Sequence, residues 1–209
     1  MGKWIDRKKA VEDAMVRDVD AIVAQFERER DEALNLVQPV RAQRMPEIVE
    51  RYRSRISARH EEAVEAEARL FADLLAEVEK VVTEPPSSDQ LAYLQTLSLK
   101  SSLTPGDIQA AEKVMAGNAV ALSALRDLAG KHGIADAPLN AGAPMPPLQD
   151  IADGLEEYRK ATALNIRRYG VIDLHSGNVS GNYFTVLDME RVWDVFRDAE
   201  AAVERFGAE

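Results

Sequence analysis

Two long stretches of helical periodicity, separated only by a pair of prolines, dominate the first 84 residues. Between Trp4 and Val37 the apolar residues recur in steps of three, four and seven, and no glycine or proline interrupts them. That spacing keeps one face of an α-helix apolar. The sequence therefore predicts a first helix over 3–37, a rod roughly 50 Å long at about 1.5 Å per residue.

The two prolines predict where this rod ends. Proline lacks the N–H that an interior helical residue donates, and its ring clashes with the preceding turn. We therefore expect the first helix to stop before Pro39, a break over 38–45, and a second helix over 46–83 with Pro46 in its first turn. The short connection favours an antiparallel helical hairpin.

The apolar pattern of the second helix changes part-way along. Its first half repeats every four residues, at Ile48, Tyr52 and Ile56. Further on, the steps alternate between four and three, which is typical of a coiled-coil seam. The seam residues are Val64, Ala68, Phe71, Leu75, Val78 and Val82. This pattern predicts a packed base and a more exposed tip around 38–59.

Two linkers without periodicity, at 85–88 and 135–147, separate the remaining helical segments. Ser87 with Gln90, and Thr104-Pro105 with Asp107, are capping patterns that mark helix starts, and Gly133 is a C-cap that ends the helix begun at Pro105. We therefore predict an all-α chain with two domains. These are a long antiparallel hairpin over 1–84 and a smaller helical bundle over 87–209.

The segment from Val171 to Phe184 breaks the helical pattern. A helix over 148–169 precedes it and ends at Gly170, and Thr185 with Asp188 caps a last helix that runs to Phe206. Two short β-branched or aromatic pieces flank a doubled Ser-Gly-Asn. This composition predicts one short β-hairpin near 171–186, or an ordered loop.

The doubled Ser-Gly-Asn is the best sequence candidate for a small-molecule site. Glycines let the backbone approach a ligand, and exposed amides can cradle an anion. The alternative, which we favour, is a turn that uses Gly and Asn for positive φ angles. The residues of this candidate loop site are His175, Ser176, Gly177, Asn178, Ser180, Gly181 and Asn182.

Arginines are concentrated at the predicted tip, where 41–59 holds six arginines and two glutamates. One interpretation is a contact for an acidic protein surface or for nucleic acid. The other, which we favour, is a solvated tip balanced by the acidic run over 61–67. The candidate partner-binding residues are Arg41, Arg44, Arg51, Arg55 and Arg59.

Composition excludes several function classes. The net charge of −10 disfavours general binding to nucleic acid. The chain has no cysteine, so disulfides and thiolate catalysis are excluded, and none of its three histidines has a partner at metal-ligand spacing. We find no catalytic, cofactor or metal motif. No apolar run approaches the ~20 residues of a membrane span, and no signal peptide is recognisable, so we expect a cytoplasmic protein.

Two segments carry a family resemblance. Leu97 to Ile108 is a polar-capped helix start, and Asn118 to Ala129 is an Asn and small-residue stretch ending in Leu-x-x-Leu-Ala. Together they resemble uncharacterised helical proteins of tailed phages and prophages, and the charged N-terminal helices look like those of scaffolding or head-associated proteins. The resemblance implies an assembly partner of the phage type, and a virion-associated location if the protein is phage-encoded.

Our leading hypothesis is a non-enzymatic structural or assembly protein that acts through helix-mediated association with itself or another protein, without a cofactor. A second hypothesis is a regulatory or nucleic-acid-associated binding module that uses the arginine-rich tip over 41–59. A third is an enzyme with its site at the Ser-Gly-Asn loop.

Overall fold

A computed structural model describes residues 3–134, 148–173, 176–180 and 190–206. These residues form seven helices and two very short strands, so the all-α prediction is confirmed. The elements are α1 (Lys3–Leu34), α2 (Gln38–Thr83), α3 (Ser88–Ser98), α4 (Pro105–Met115), α5 (Ala119–Lys131), α6 (Leu148–Arg168), β1 (Val171–Ile172), β2 (Val179–Ser180) and α7 (Glu190–Phe206). None of the described helices has the length and apolar character needed to cross a membrane.

The connection between the two long helices is shorter than predicted and lies earlier. Only 35–37 separate α1 from α2, so the predicted break over 38–45 is wrong. Pro39 lies in the first turn of α2, where a backbone N–H has no acceptor within the helix, so that a proline is tolerated there. Pro46 lies inside α2 and removes the donor to one carbonyl. The buried Ile48 and Val49 that follow it offset this loss by packing into the core.

The chain divides into two compact units. The first unit comprises Met1–Asp73 and Gly154–Arg197, and the second comprises Leu74–Asp153 and Asp198–Glu209. This division differs from the predicted domains, because 154–197 belongs with the first helices and the 85–88 linker lies within the second unit. The predicted linker over 135–147 is outside the described residues.

The core of the first unit is built on the predicted face of α1. The buried α1 residues are Trp4, Lys8, Met15, Val19, Ile22, Phe26 and Ala33. Most of them are apolar residues of the predicted stripe, but Lys8 was not predicted to be buried. Phe26 meets Tyr52 of α2 edge to face, with ring centroids 5.7 Å apart. Val37, the predicted end of the stripe, is 70% exposed.

The predicted seam of α2 is displaced by one residue. The buried positions are Ala63, Glu67, Leu70, Phe71, Leu74, Val78 and Val81. Phe71 and Val78 are the two predicted seam residues among them, whereas Val64 and Leu75 are partly exposed. The prediction failed because it counted apolar residues only. The buried face also includes His60 and Glu67, two polar residues that the apolar pattern left out.

In the second unit, α3, α4 and α5 share an apolar core that includes Leu97, Ile108 and Leu125. The predicted capping box of Ser87 and Gln90 is present, since the side chain of each accepts from the backbone N–H of the other. Thr104 is the predicted N-cap of α4, and it also forms a capping box with Asp107.

The predicted single helix from Pro105 to the C-cap at Gly133 is two helices. It breaks at Gly117, which has a φ of 84°. Asn118 then caps α5: its side-chain oxygen accepts from the N–H of Ala121 at 2.8 Å, and its amide donates to the carbonyl of Glu84 at 3.1 Å. An Asn that can satisfy a free helix start in this way favours a break over continued helix.

The predicted β-hairpin is present within 171–180. The strands pair antiparallel, with Val171 opposite Ser180 and Ile172 opposite Val179. The described part of the last helix, α7, begins at Glu190, so the predicted cap at Thr185 and Asp188 is outside the described residues.

Candidate functional site

A cavity of about 560 Å³ lies in the first unit beside a polar face of α2, a volume in the range of small-molecule pockets. Its polar α2 residues recur in steps of three and four, which places them on one side of the helix. They are Glu50, Arg53, Ser54, Ser57, His60 and Glu61. Arg167 of α6, Val171 and Ile172 of β1, and Ile56 complete the lining.

His60 is the most unusual residue of this α2 cavity. It is only 4% exposed, and its Nε2 has no hydrogen-bond partner among the described residues. Burial lowers the pKa of His60, against the opposing effects of a hydrogen bond to the backbone of Tyr169 and of the charge on Glu61. The imidazole is therefore neutral at pH 7. Since the other nitrogen serves the Tyr169 bond, the proton is on Nδ1 and Nε2 is a hydrogen-bond acceptor.

The charges around the cavity are partly neutralised. Arg167 forms a bidentate pair with Glu61, with both N–O distances 2.9 Å. The hydrogen bond from Arg167 lowers the pKa of the Glu61 carboxyl, and the pair raises the pKa of Arg167. Neither Arg53 nor Glu50 makes an ion pair among the described residues. One cation and one carboxylate of the cavity are thus available to a ligand.

The sequence did not single out this cavity. No residue near His60 in the sequence lies at a spacing typical of metal-ligating side chains. The residues that surround it, Arg167, Tyr169 and Ile172, are more than a hundred positions away. The available signal was the recurrence of polar residues at 50, 53, 54, 57, 60 and 61, which is equally typical of a solvated helix face.

Three of the five candidate partner-binding arginines interact with α1. Arg51 forms an ion pair with Glu29, Arg55 donates to Gln25 at 2.9 Å, and Arg59 pairs with both Asp18 and Glu62. Tyr52 adds a hydrogen bond to Glu29 at 2.6 Å, which lowers the pKa of that carboxyl. These arginines therefore link α2 to α1 at the surface of the first unit.

The other two candidate arginines lie at the start of α2. Arg41 donates to Gln38 at 2.6 Å, and Arg44 is exposed with no ion pair among the described residues. They lie close in the chain to three large apolar side chains that are exposed at the helical connection. We call these residues the tip patch: Leu34 (48% exposed), Val37 (70%) and Val40 (43%).

The described part of the candidate loop site forms a turn. Asp173 Oδ1 accepts from the N–H of Ser176 at 2.7 Å and from its hydroxyl at 2.8 Å, and the N–H of Gly177 donates to the Asp173 carbonyl. Gly177 has a φ of 64°, and the N–H of Asn178 donates to Ser176 Oγ. These amides are therefore engaged within the hairpin. His175, Gly181 and Asn182 are outside the described residues, and so is the side chain of Ser180.

A buried polar cluster, which the sequence pattern did not predict, lies elsewhere in the first unit. Lys8 and Glu67 are 2% and 1% exposed, and Tyr158 is fully buried. Lys8 Nζ lies 2.5 Å from Glu12 Oε1 and 3.8 Å from Glu67 Oε1, and it stands 5.3 Å from the centre of the Tyr158 ring. The sequence did contain a signal for this cluster. Lys8 and Glu67 place charges of opposite sign at facing positions of the apolar stripes of α1 and α2.

Burial raises the pKa of Glu67 from its ordinary 4.5 to about 8, although Lys8 opposes the shift. Burial alone would lower the pKa of Lys8, but Glu12, Tyr158 and Glu67 outweigh it and raise the pKa. At pH 7 the cluster therefore holds a charged lysine and a largely protonated Glu67.

We expect Glu67→Gln to alter the pH dependence of stability. Between about pH 5 and about pH 8 the native state binds a proton at Glu67 that the unfolded state has lost, so raising the pH lowers the free energy of unfolding, by at most ~1.4 kcal/mol per pH unit. Glutamine cannot titrate, so the variant should lack this decline. Urea denaturation of both proteins across this range measures it. If the free energy of unfolding depended on pH in the same way in both proteins, the raised pKa of Glu67 would be contradicted.

Within the described part of the chain, no group of three or more His, Asp or Glu side chains is placed to hold a metal ion. Comparisons with known protein families, with characterised proteins and with solved structures find no match for this chain.

Proposed function

We propose that this chain is a non-enzymatic structural or assembly protein that acts through helix-mediated self-association at the tip patch. The observation that carries the proposal is the exposure of Leu34, Val37 and Val40 around a connection of three residues. Single exposed apolar residues are ordinary, but a group of large ones in a single short segment is typical of contact sites.

Charge supports a second copy of the chain as the partner. The last turns of α1 carry the exposed acids Glu27, Asp31 and Glu32, and the first turns of α2 carry Arg41 and Arg44. In a two-fold contact the same surface of both copies is used, so that if residue i of one copy meets residue j of the other, j also meets i. Two tips that pair in this way can place the acids of one copy against the arginines of the other, with the tip patches at the centre.

The nucleic-acid alternative has less support. Arg51, Arg55 and Arg59 already interact with α1, and the chain as a whole carries a net charge of −10. A phosphate backbone needs several available cations on one surface. Prophage origin stays a prediction that rests on the sequence resemblance alone.

We expect the molar mass of the wild-type protein, measured by light scattering after size-exclusion chromatography, to rise with protein concentration. The patch is small, so the association should be weak and readily reversible. Val37→Asp introduces a charge at the most exposed apolar position of the patch and should leave the protein monomeric at every concentration.

Leu99→Asp is the matched control, because Leu99 is 86% exposed in the second unit, away from the tip patch in sequence. It should associate like the wild type. A wild-type protein that is monomeric at the highest concentration, or a V37D variant that associates normally, would refute the proposal.

A further inference from the structure

We propose that His60 is a pH-sensitive switch: its neutral imidazole holds the corner between α6 and β1 against α2, and its protonated imidazole favours a state in which this corner is open. The α6–β1 corner comprises residues 167–172. The inference is independent of association at the tip patch. It rests on where the imidazole is buried, on what each of its nitrogens contacts and on the charges that face it.

The imidazole of His60 lies between α2 and the α6–β1 corner. His60 is only 4% exposed, although it is one of the residues around the α2 cavity. It forms a hydrogen bond with the backbone of Tyr169, and Val171 and Ile172 line the same cavity. The corner thus covers the ring from outside α2, and displacing the corner is what brings the ring into contact with water.

Protonation changes what the second nitrogen of His60 requires. In the neutral ring Nδ1 donates to the backbone of Tyr169, and Nε2 is an acceptor without a partner in the described part of the chain. In the protonated ring both nitrogens are donors, so Nε2 carries an N–H at a buried position that offers it no hydrogen bond. A buried charged donor left in this state is strongly unfavourable, whereas water satisfies the same group. The protonated ring therefore favours the open corner.

The charges that face His60 do not reverse this preference. Burial, the largest effect, lowers the pKa of His60, and the positive charge of Arg167 also lowers it. The bond to Tyr169 and the charge on Glu61 raise the pKa but are outweighed. Both carboxylate oxygens of Glu61 are already bonded to Arg167 at 2.9 Å, so Glu61 is not free to accept from Nε2 without giving up that pair.

The other ionisable groups around the α6–β1 corner are bonded elsewhere or lie farther along α2. Asp20 of α1 accepts a hydrogen bond from the hydroxyl of Tyr169 at 2.6 Å. Both residues of β1 are apolar. Glu50 and Arg53 line the same cavity, but they lie two to three turns before His60, roughly 10–15 Å away along the helix axis. These positions leave the closed corner without a group that offsets the charge on a protonated ring.

Hydrogen–deuterium exchange of the full chain, followed by mass spectrometry, tests the switch. We expect the opening constant of the corner amides, corrected for the intrinsic exchange rate, to rise at least about fivefold from pH 7 to pH 5. Opening exposes the ring, which then takes up a proton, and such an equilibrium changes by up to about tenfold per pH unit. The sign follows from the lowered pKa of buried His60: the stabilisation of the closed corner is complete above pH 6.5 and is lost as the pH falls.

Two variants assign the response to His60. His60→Asn keeps an N–H donor for the backbone of Tyr169 but cannot titrate, so its opening constant should change less than about twofold over the same range. His132→Asn is the matched control, because His132 caps α5 in the second unit, and it should respond as the wild type does. Glu67 acts in the opposite direction but is common to all three proteins, so the difference between wild type and H60N isolates His60.

The proposal would be overturned by a corner that opens equally at pH 7 and pH 5 in the wild type, or by an H60N variant with the wild-type response. Side-chain NMR of the wild type adds a measurement that needs no variant. The imidazole of His60 should titrate with a pKa below its ordinary value of 6.5, and Nε2 should be the unprotonated nitrogen at pH 7. A pKa at or above 6.5 would also overturn the proposal.

Discussion

Lys8→Met is expected to lower the free energy of unfolding by about 2 kcal/mol, the magnitude typical of leaving buried polar groups without a hydrogen-bond partner. Lys8 is 2% exposed and is the cation that Glu12, Glu67 and the Tyr158 ring share. Methionine has nearly the same shape, so the loss is electrostatic and not a cavity effect. Without Lys8, Glu67 remains buried at 1% exposure with neither oxygen hydrogen-bonded among the described residues.

The effect should be specific to the buried position. Lys9→Met alters the next residue, which is exposed, and should change stability by less than about 0.5 kcal/mol. The double variant Lys8→Met/Glu67→Leu removes the orphaned carboxyl as well and should recover much of the loss, because replacing both members of a buried polar pair by apolar side chains of similar volume can be nearly neutral. Urea denaturation followed by circular dichroism measures all three. Equal losses for K8M and K9M would refute the role of the cluster.

Lys8 also illustrates what the sequence could and could not predict about the fold. The two long helices, both capping boxes and the short hairpin follow from local rules, namely periodicity, helix-start chemistry and turn residues, and all are present. The errors arise where tertiary packing overrides those rules. Pro46 continues a helix because the residues after it are buried, and the α2 seam is displaced because Glu67 is buried there beside Lys8.

The α2 cavity was beyond sequence reasoning for a related reason. Its charge balance depends on the pairing of Arg167 with Glu61, and the tautomer of His60 depends on the backbone of Tyr169. Both contacts join α2 to residues about a hundred positions later, and periodicity carries no information on such pairs. For the same reason the sequence did not predict the acidic partners of Arg51 and Arg59, which lie on α1 and not in the acidic run of α2 alone.

Gly170→Ala is expected to lower the free energy of unfolding by about 3 kcal/mol, from two additive causes. Gly170 has a φ of 64°, a conformation that is unfavourable for alanine by roughly 1 kcal/mol. A Cβ at this position would also lie 2.5 Å from Cγ1 of Val19, a fully buried core residue of α1. Overpacking of that kind is destabilising by roughly 1–3 kcal/mol, because the surrounding core cannot move freely.

A second glycine separates the two causes. Gly133 has a φ of 72°, and a Cβ there would meet nothing within 4 Å, so Gly133→Ala should show the conformational effect alone, about 1 kcal/mol. Adding Val19→Ala to Gly170→Ala removes the clashing methyl groups, so the double variant should be more stable than the sum of the single effects by at least about 1 kcal/mol. Strict additivity of the two changes would show that Val19 does not oppose a side chain at 170. The larger loss at Gly170 would then need another cause than its close approach to α1.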